Sequence, residues 1–412
     1  VFDGEKGRRA RSGNHWDGPF GGETSFASIS FANEAKSAAS LANRPVEFRH
    51  SRNDGHKGWV WRVRSGLLPG MKKDKRFCRL EAQTLMFSHN EMGTPTMMLA
   101  LGEARIAVDK KRRTIKLVTG ITGSTKLLFD DGFEGWIEAI EDASKAKFAD
   151  FYEVINRLGD GQYGAVKLCR DKATNERVAA KTILKKRNPS ERQTKYIIHE
   201  LRIMRLLSHS NIVHCYDVFD TRKSLTIVME YFPCGDLWDA LEPYGAMSER
   251  ETAETLRELL LAVAFLHEHG VVHRDIKLEN VLVRSRVPPF GCVLADFGLS
   301  NIVEPDEEMW LGVGTPAYLA PEMIRREMYG PKVDAWALGV IMFVMLVHDS
   351  PFEADTDKET RLKVLSSREW EGKIVSWSPA AQDLVRKLLE RDVDERITVA
   401  EALVHPFIAE RK

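Results

Sequence analysis

The chain has 412 residues, 43% of them apolar and 29% charged, with 60 basic side chains against 60 acidic ones. That length allows two or three domains with proper cores, and the balanced charge argues against nucleic-acid binding. Five widely spaced cysteines (Cys78, Cys169, Cys215, Cys234 and Cys292) include no CxxC pair. They argue against a disulfide framework or a zinc site and fit a reducing, cytoplasmic setting. The longest apolar run, Trp336 to Val347, is too short to span a bilayer, and no signal peptide is visible.

Residues 1–54 are rich in Gly, Ser, Ala and Asn with little apolar periodicity, and read as a disordered segment with one short helix around 32–42. From 55 the character changes. Runs beginning at Gly58, Phe77, Thr84, Ala104, Thr114 and Lys126 read as strands, separated by turn signals such as Leu68-Pro-Gly and Gly123-Ser. Phe133, Trp136, Ile137 and Ile140 then fall at i, i+3, i+4 and i+7, one face of a helix. Antiparallel strands closed by one amphipathic helix predict a small barrel with a helical plug. Residues 146–150 form a short, orientation-restricting linker. Beyond Phe151 strands come first and helices dominate: Glu191–Ser208, Thr252–His269 before Gly270, and the nearly all-apolar Asp334–Val347.

The 55–146 segment resembles a pleckstrin-homology domain, through Gly58-Trp59-Val60, Lys75-Arg76-Phe77 and Trp136. Residues 57–79 carry eight basic side chains and one acid, Asp74. The resemblance implies an anionic-lipid or phosphoinositide surface through Arg62 and Arg76, with peripheral recruitment to membranes. Asp74 occupies a position where lipid binders carry a basic residue. A protein-docking or merely solvated face is the alternative.

Chemistry is concentrated later. Leu158-Gly-Asp-Gly-Gln-Tyr-Gly-Ala-Val166 contains GxGxxG, followed by a strand pattern rather than the helix of a dinucleotide fold. A glycine hairpin can lie over phosphates because the backbone can approach closely, or it can be a plain turn. Val178-Ala-Ala-Lys181 ends an apolar run 20 residues after Gly161. Glu200 is placed to pair with Lys181; a lone surface lysine is the commoner arrangement. His273-Arg-Asp-Ile-Lys-Leu-Glu-Asn280, Asp296-Phe-Gly298 and Ala320-Pro-Glu322 follow in order. A buried Glu322 requires a cation, and Arg396 fits.

These motifs together resemble the eukaryotic-type protein kinases, over residues ~150–409. Lys277 and Gly314-Thr-Pro-Ala-Tyr-Leu resemble the serine/threonine branch, and Glu395-Arg-Ile-Thr-Val-Ala-Glu-Ala-Leu resembles the calcium/calmodulin-dependent-kinase-like group. The resemblance implies an α+β bilobal protein-kinase fold preceded by a small antiparallel β-barrel capped by a C-terminal helix. It implies ATP and Mg²⁺ as cofactors and protein hydroxyls as acceptors. By it Asp275, Lys277, Lys181, Glu200 and Thr315 are catalytic, and Asn280 and Asp296 hold the metal. Leu158, Gly159, Gly161, Gly164, Val166, Lys181, Met229, Glu230 and Phe232 enclose the nucleotide. Leu299 favours serine, and Asp236 and Glu279 favour an Arg three residues before it.

Three departures temper that expectation. Leu311 stands where relatives carry a phosphorylatable Thr, so Glu304-Pro-Asp-Glu-Glu308 is read either as a phosphate substitute facing Arg274 or as a solvated acidic loop. No calmodulin-binding segment follows the kinase-like region, so direct calmodulin control is not expected. The third is functional: the same fold can serve as an inactive scaffold, or can phosphorylate small molecules. The complete catalytic set argues against the first and the full activation segment against the second.

Overall fold

The computed structural model describes residues 56–63, 73–81, 83–91, 96–119, 123–161, 164–185, 209–221, 223–297, 301–302 and 315–409. The expected disordered segment 1–54 and the expected helix Glu191–Ser208 lie outside them.

Seven strands come first: β1 (Lys57–Val63), β2 (Lys73–Glu81), β3 (Thr84–Ser88), β4 (Met97–Ala100), β5 (Arg105–Asp109), β6 (Thr114–Thr119) and β7 (Gly123–Phe129). They form one antiparallel sheet in the order β4-β3-β2-β1-β7-β6-β5. The expected closed barrel is not what the pairing gives: among the described residues β4 and β5 are the two edges, with no ladder between them. Alternation still decides the buried face. In β6, Ile115 and Leu117 are buried while Lys116 and Val118 are exposed.

Helix α1 (Phe133–Lys145) closes that face, burying Phe133, Trp136, Ala139, Ile140 and Ala143. These join Val60, Leu85, Phe87, Leu127 and Phe129 in one cluster. Each large apolar side chain so buried contributes about 1.5–3 kcal/mol. The linker is itself a short helix, α2 (Phe148–Phe151). Its Phe148 and Phe151 rings stand 5.5 and 5.8 Å from Phe219.

A second antiparallel sheet follows, made of β8 (Tyr152–Gly161), β9 (Gly164–Asp171), β10 (Arg177–Leu184), β11 (Cys215–Asp220) and β12 (Ser224–Glu230), ordered β11-β12-β10-β9-β8. Then come α3 (Leu237–Tyr244) and α4 (Glu249–Glu268). Helix α4 starts before the apolar pattern does, because Ser248 and Glu251 form a capping box there. It stops at Gly270, whose φ of 71° only glycine adopts cheaply. Two short hairpin-like pairs frame the next loop: β13 (Val271–Val272) with β16 (Asn301–Ile302), and β14 (Val281–Val283) with β15 (Cys292–Leu294). Helix α5 (Pro321–Arg325) leads into α6 (Lys332–Val347), which is buried on nearly every side and forms the axis of the helical lobe. Gly339 of α6 is required by packing: a Cβ there would stand 2.8 Å from Leu388 Cβ. All five cysteines are free thiols. Among the described residues no helix is long and apolar enough to cross a membrane.

Candidate active site

Strand register assembles the first wall. Lys181 of β10 sits opposite Val166 of β9, and Ala179 opposite Met229 of β12. Paired residues share a face and side chains repeat every second residue, so Val166, Ala179, Lys181 and Met229 line one surface. The glycines keep the turn beside it thin. Around Gly159 there is open space, whereas a Cβ on Gly164 would stand 1.8 Å from Thr182 O. Leu158 is exposed at the end of this hairpin, and Gly161 closes β8. At the far edge Glu230 ends β12 and Phe232 is buried. Arg284 donates to Glu230 Oε1 at 2.5 Å and lies 5.1 Å over the Phe232 ring. That role for Arg284 is not legible in the sequence.

The second wall is the loop between β13 and β14. Asn280 Nδ2 donates to Asp275 O at 2.7 Å and to Asp275 Oδ2 at 2.9 Å. Lys277 Nζ stands 3.8 Å from Asp275 Oδ2 and donates to Thr315 Oγ1 at 3.1 Å. Burial pushes the Asp275 carboxyl above its ordinary range, against the pull of Lys277 and His273. The loop is held from below by Asp334 of α6, which in the sequence marks only the start of a buried helix. Its carboxylate accepts from His273 N and Arg274 N, each at 2.9 Å, and lies 2.8 Å from His267 Nε2. Burial works to raise this carboxyl, yet the His267 bond, the two histidines and the backbone donor leave it below its usual value. Arg274 has φ 67°, a left-handed conformation costly for an arginine. The two bonds donated to Asp334 fix the backbone that leads into that strained residue.

The two walls meet at Asp296. Ala295 N donates to Asn280 O at 2.9 Å, setting the Asp296 segment beside the Asn280 loop. Lys181 Nζ donates to Asp296 Oδ1 at 2.8 Å, so a strand of the sheet and a loop of the helical lobe are joined by one ion pair. Asp296 also has positive φ, at 58°. Asn280 spends its amide N–H groups on Asp275, which leaves its oxygen available as a donor to a metal. One carboxylate and one amide oxygen fit a small hard dication that takes its other ligands from phosphate and water. Among the described residues no cluster of three His, Cys, Asp or Glu offers an alternative metal site.

Further out, Arg396 donates to Glu322 Oε1 at 2.6 Å and Oε2 at 2.9 Å, the buried pair anticipated above. In the N-terminal sheet Arg62 and Arg76 both engage Asp74, at 3.4 and 2.7 Å. Glu200, Gly298, Leu299, Leu311 and the acidic run 304–308 lie outside the described residues.

Residues 152–408 match the protein kinase domain family. The chain is 35% identical to calcium/calmodulin-dependent protein kinase type IV of Rattus norvegicus over 293 residues, 70% of this chain and 60% of that protein. It is 37% identical to calcium/calmodulin-dependent protein kinase type I of Schizosaccharomyces pombe over 268 residues, 63% of this chain and 79% of that one. It is also 34% identical to death-associated protein kinase 2 of Homo sapiens over 275 residues, 65% of this chain and 74% of that protein. The chain belongs to the protein kinase family and is similar to its calcium/calmodulin-dependent members. It spans about three fifths of the length of the type IV relatives. No family match covers the N-terminal sheet.

Proposed function

We propose that this chain is a serine/threonine protein kinase that transfers the γ-phosphoryl group of ATP to protein hydroxyls. The observation that carries the reading is the set Asp275, Asn280 and Lys277, bonded to one another, next to an Asp296 already held by Lys181. In this reading Asp275 orients the target hydroxyl and takes up its proton, its raised pKa suiting that exchange. Lys277 neutralises charge on the transferring group, and Thr315 fixes the Lys277 ammonium. Lys181 holds the α- and β-phosphates, partnered by Glu200. Asn280 and Asp296 hold Mg²⁺, which when bound screens the phosphate oxygens. Leu158, Gly159, Gly161, Gly164, Val166, Met229, Glu230 and Phe232 enclose the nucleotide. Catalysis is then mainly positioning and fixed charge rather than covalent chemistry.

Residues 150–409 form the kinase domain in this reading, and 55–146 a pleckstrin-homology-like domain following the segment 1–54. The order of its seven strands and the closing helix α1 support that assignment. We propose that this domain gates or localises the kinase. For substrates, Asp236 and Glu279 favour an arginine three positions before the target serine. Burial holds the Asp236 carboxyl above its ordinary range against the bond it accepts from Asp239 N, and the charges of Asp239 and Glu279 stand close by, a concentration of negative charge that an arginine would relieve.

The test is radiolabelled phosphate transfer from ATP and Mg²⁺ to a serine peptide with Arg at −3, beside the same peptide with Ala there. Asp275→Asn should lower kcat by about 10²–10⁴-fold, and the Ala peptide should raise KM. Transfer that survives Asp275→Asn removes the assigned role. ATP binding without any transfer promotes an inactive scaffold that docks partners through its N-terminal sheet.

A further inference from the structure

Among the described residues, the turn after β4 brings the N-terminal sheet against the end of β11. Between β4 and β5 the chain turns through Leu101-Gly102-Glu103-Ala104, with Ala104 N bonded to Leu101 O at 2.9 Å. Gly102 lies against the backbone carbonyl of Asp220, the last residue of β11. A Cβ on Gly102 would stand 1.8 Å from Asp220 O and 2.8 Å from Gln83 Oε1, closer than real Cβ contacts come. Gly102 is not in the left-handed region, so close approach and not turn geometry requires glycine there. Met98 of β4 packs against the hydrophobic core that includes β11 and β12. Gln83 donates through Nε2 to Ala146 O, which ties the corner to the linker.

Asp220 does more than receive this contact. It is buried, and its carboxylate is ion-paired with Lys185. Lys185 also donates from Nζ to Thr221 O and from its backbone N to Lys223 O, both at 2.8 Å. Lys185 directly follows β10, the strand that carries Lys181 to the phosphates. The pair therefore fastens the end of that strand to the β11–β12 turn. Glu103, next to Gly102, adds negative charge near the Asp220 carboxylate, so the corner acts on the pair electrostatically as well as sterically.

We propose that Asp220 and Lys185 are positioning residues for Lys181, and that the Gly102 corner is the point through which the N-terminal sheet sets ATP affinity. The proposal rests on the phosphoryl-transfer reading and names the contact behind the gating. The corner abuts backbone, which cannot rotate away as a side chain could. A bulkier residue at 102 must therefore push β11 or separate the two sheets. Either movement strains the Asp220–Lys185 fastening and with it the far end of β10. The catalytic loop between β13 and β14 is held by Asp334 of α6 and is not strained by the same push.

The experiment uses the full chain. Gly102→Val, Asp220→Asn and Asp220→Glu are compared with wild type for equilibrium binding of a fluorescent ATP analogue with Mg²⁺, and for KM of ATP and peptide separately. Thermal melts check that each variant folds. We expect Gly102→Val and Asp220→Asn to weaken nucleotide binding about three- to tenfold with the peptide KM unchanged, and Asp220→Glu to recover part of the loss. A folded Gly102→Val with wild-type nucleotide binding overturns the corner's role. Should that variant fail to fold, a folded Asp220→Asn with wild-type nucleotide binding, or equal losses toward both substrates, overturns the proposal. A wild-type chain that binds no ATP sinks the kinase reading itself, an outcome distinct from these.

Discussion

Asp275 is surrounded by groups that pull its pKa in opposite directions, and the balance fixes how the reaction should respond to acid. Burial raises the carboxyl; Lys277 is the largest opposing influence, with His273 and the Asn280 bond behind it. The acid limb of kcat/KM should therefore lie above the range of an ordinary aspartate. Lys277→Ala should move that limb to still higher pH, as well as lowering the plateau, because the carboxylate loses its nearest cation. A pH profile of the variant whose acid limb stays at the wild-type position would show that Asp275 is not the group that titrates. The residues in this balance are legible in the sequence because phosphoryl transfer needs particular residue types at fixed spacings along one loop. Asp334 is not legible in that way. It acts through the loop backbone from a helix about 60 residues further on, and a single acid at the head of an apolar helix has commoner explanations. Arg284 escaped for the same reason, being 54 positions from Glu230.

At the scale of elements, α6 serves as the foundation of the helical lobe and as a clamp on the loop that carries Asp275. Asp334→Ala leaves the His273 and Arg274 N–H groups buried without their acceptor, at about 1–3 kcal/mol each. We expect a loss of about 3–5 kcal/mol in denaturant unfolding at neutral pH. The sign with pH follows from the lowered carboxyl. Its stabilisation is complete above the ordinary carboxyl pKa and is lost as pH falls toward the depressed folded value. Wild type and variant should thus converge in strong acid; a gap that stays constant with pH would mean that the charge on Asp334 contributes nothing. Elements are legible wherever periodicity is strong, as in α1, α4 and α6. Strand β4, Met97-Met-Leu-Ala, is not legible because it is short and does not alternate polar with apolar. The open edge between β4 and β5 could not be read either, since closure depends on which distant strands pair and local pattern carries no such information.

For the molecule as a whole, the basic face of the N-terminal sheet can be weighed as a lipid surface. Its basic strands suggest a surface for anionic lipid, but the two arginines that resemblance singles out are already turned inward on a shared carboxylate. Arg62 and Arg76 both contact Asp74, and their side chains are 21% and 16% exposed. A headgroup phosphate would have to replace an acceptor that is covalently part of the same sheet and never diffuses away. Lys75, by contrast, lies 5.8 and 5.4 Å from the Trp59 and Trp61 rings, so one cation of this face rests on aromatic surface. The sequence-level count of eight basic groups overstates the charge available, because pairing is a property of the folded face and not of composition. On this argument wild-type chain should sediment weakly with phosphoinositide liposomes, and Asp74→Asn should increase the bound fraction several-fold by releasing both arginines. If wild type already binds tightly and Asp74→Asn changes nothing, the lipid site lies elsewhere on the sheet. If neither binds, the face is no lipid site, which leaves a protein-docking or merely solvated surface.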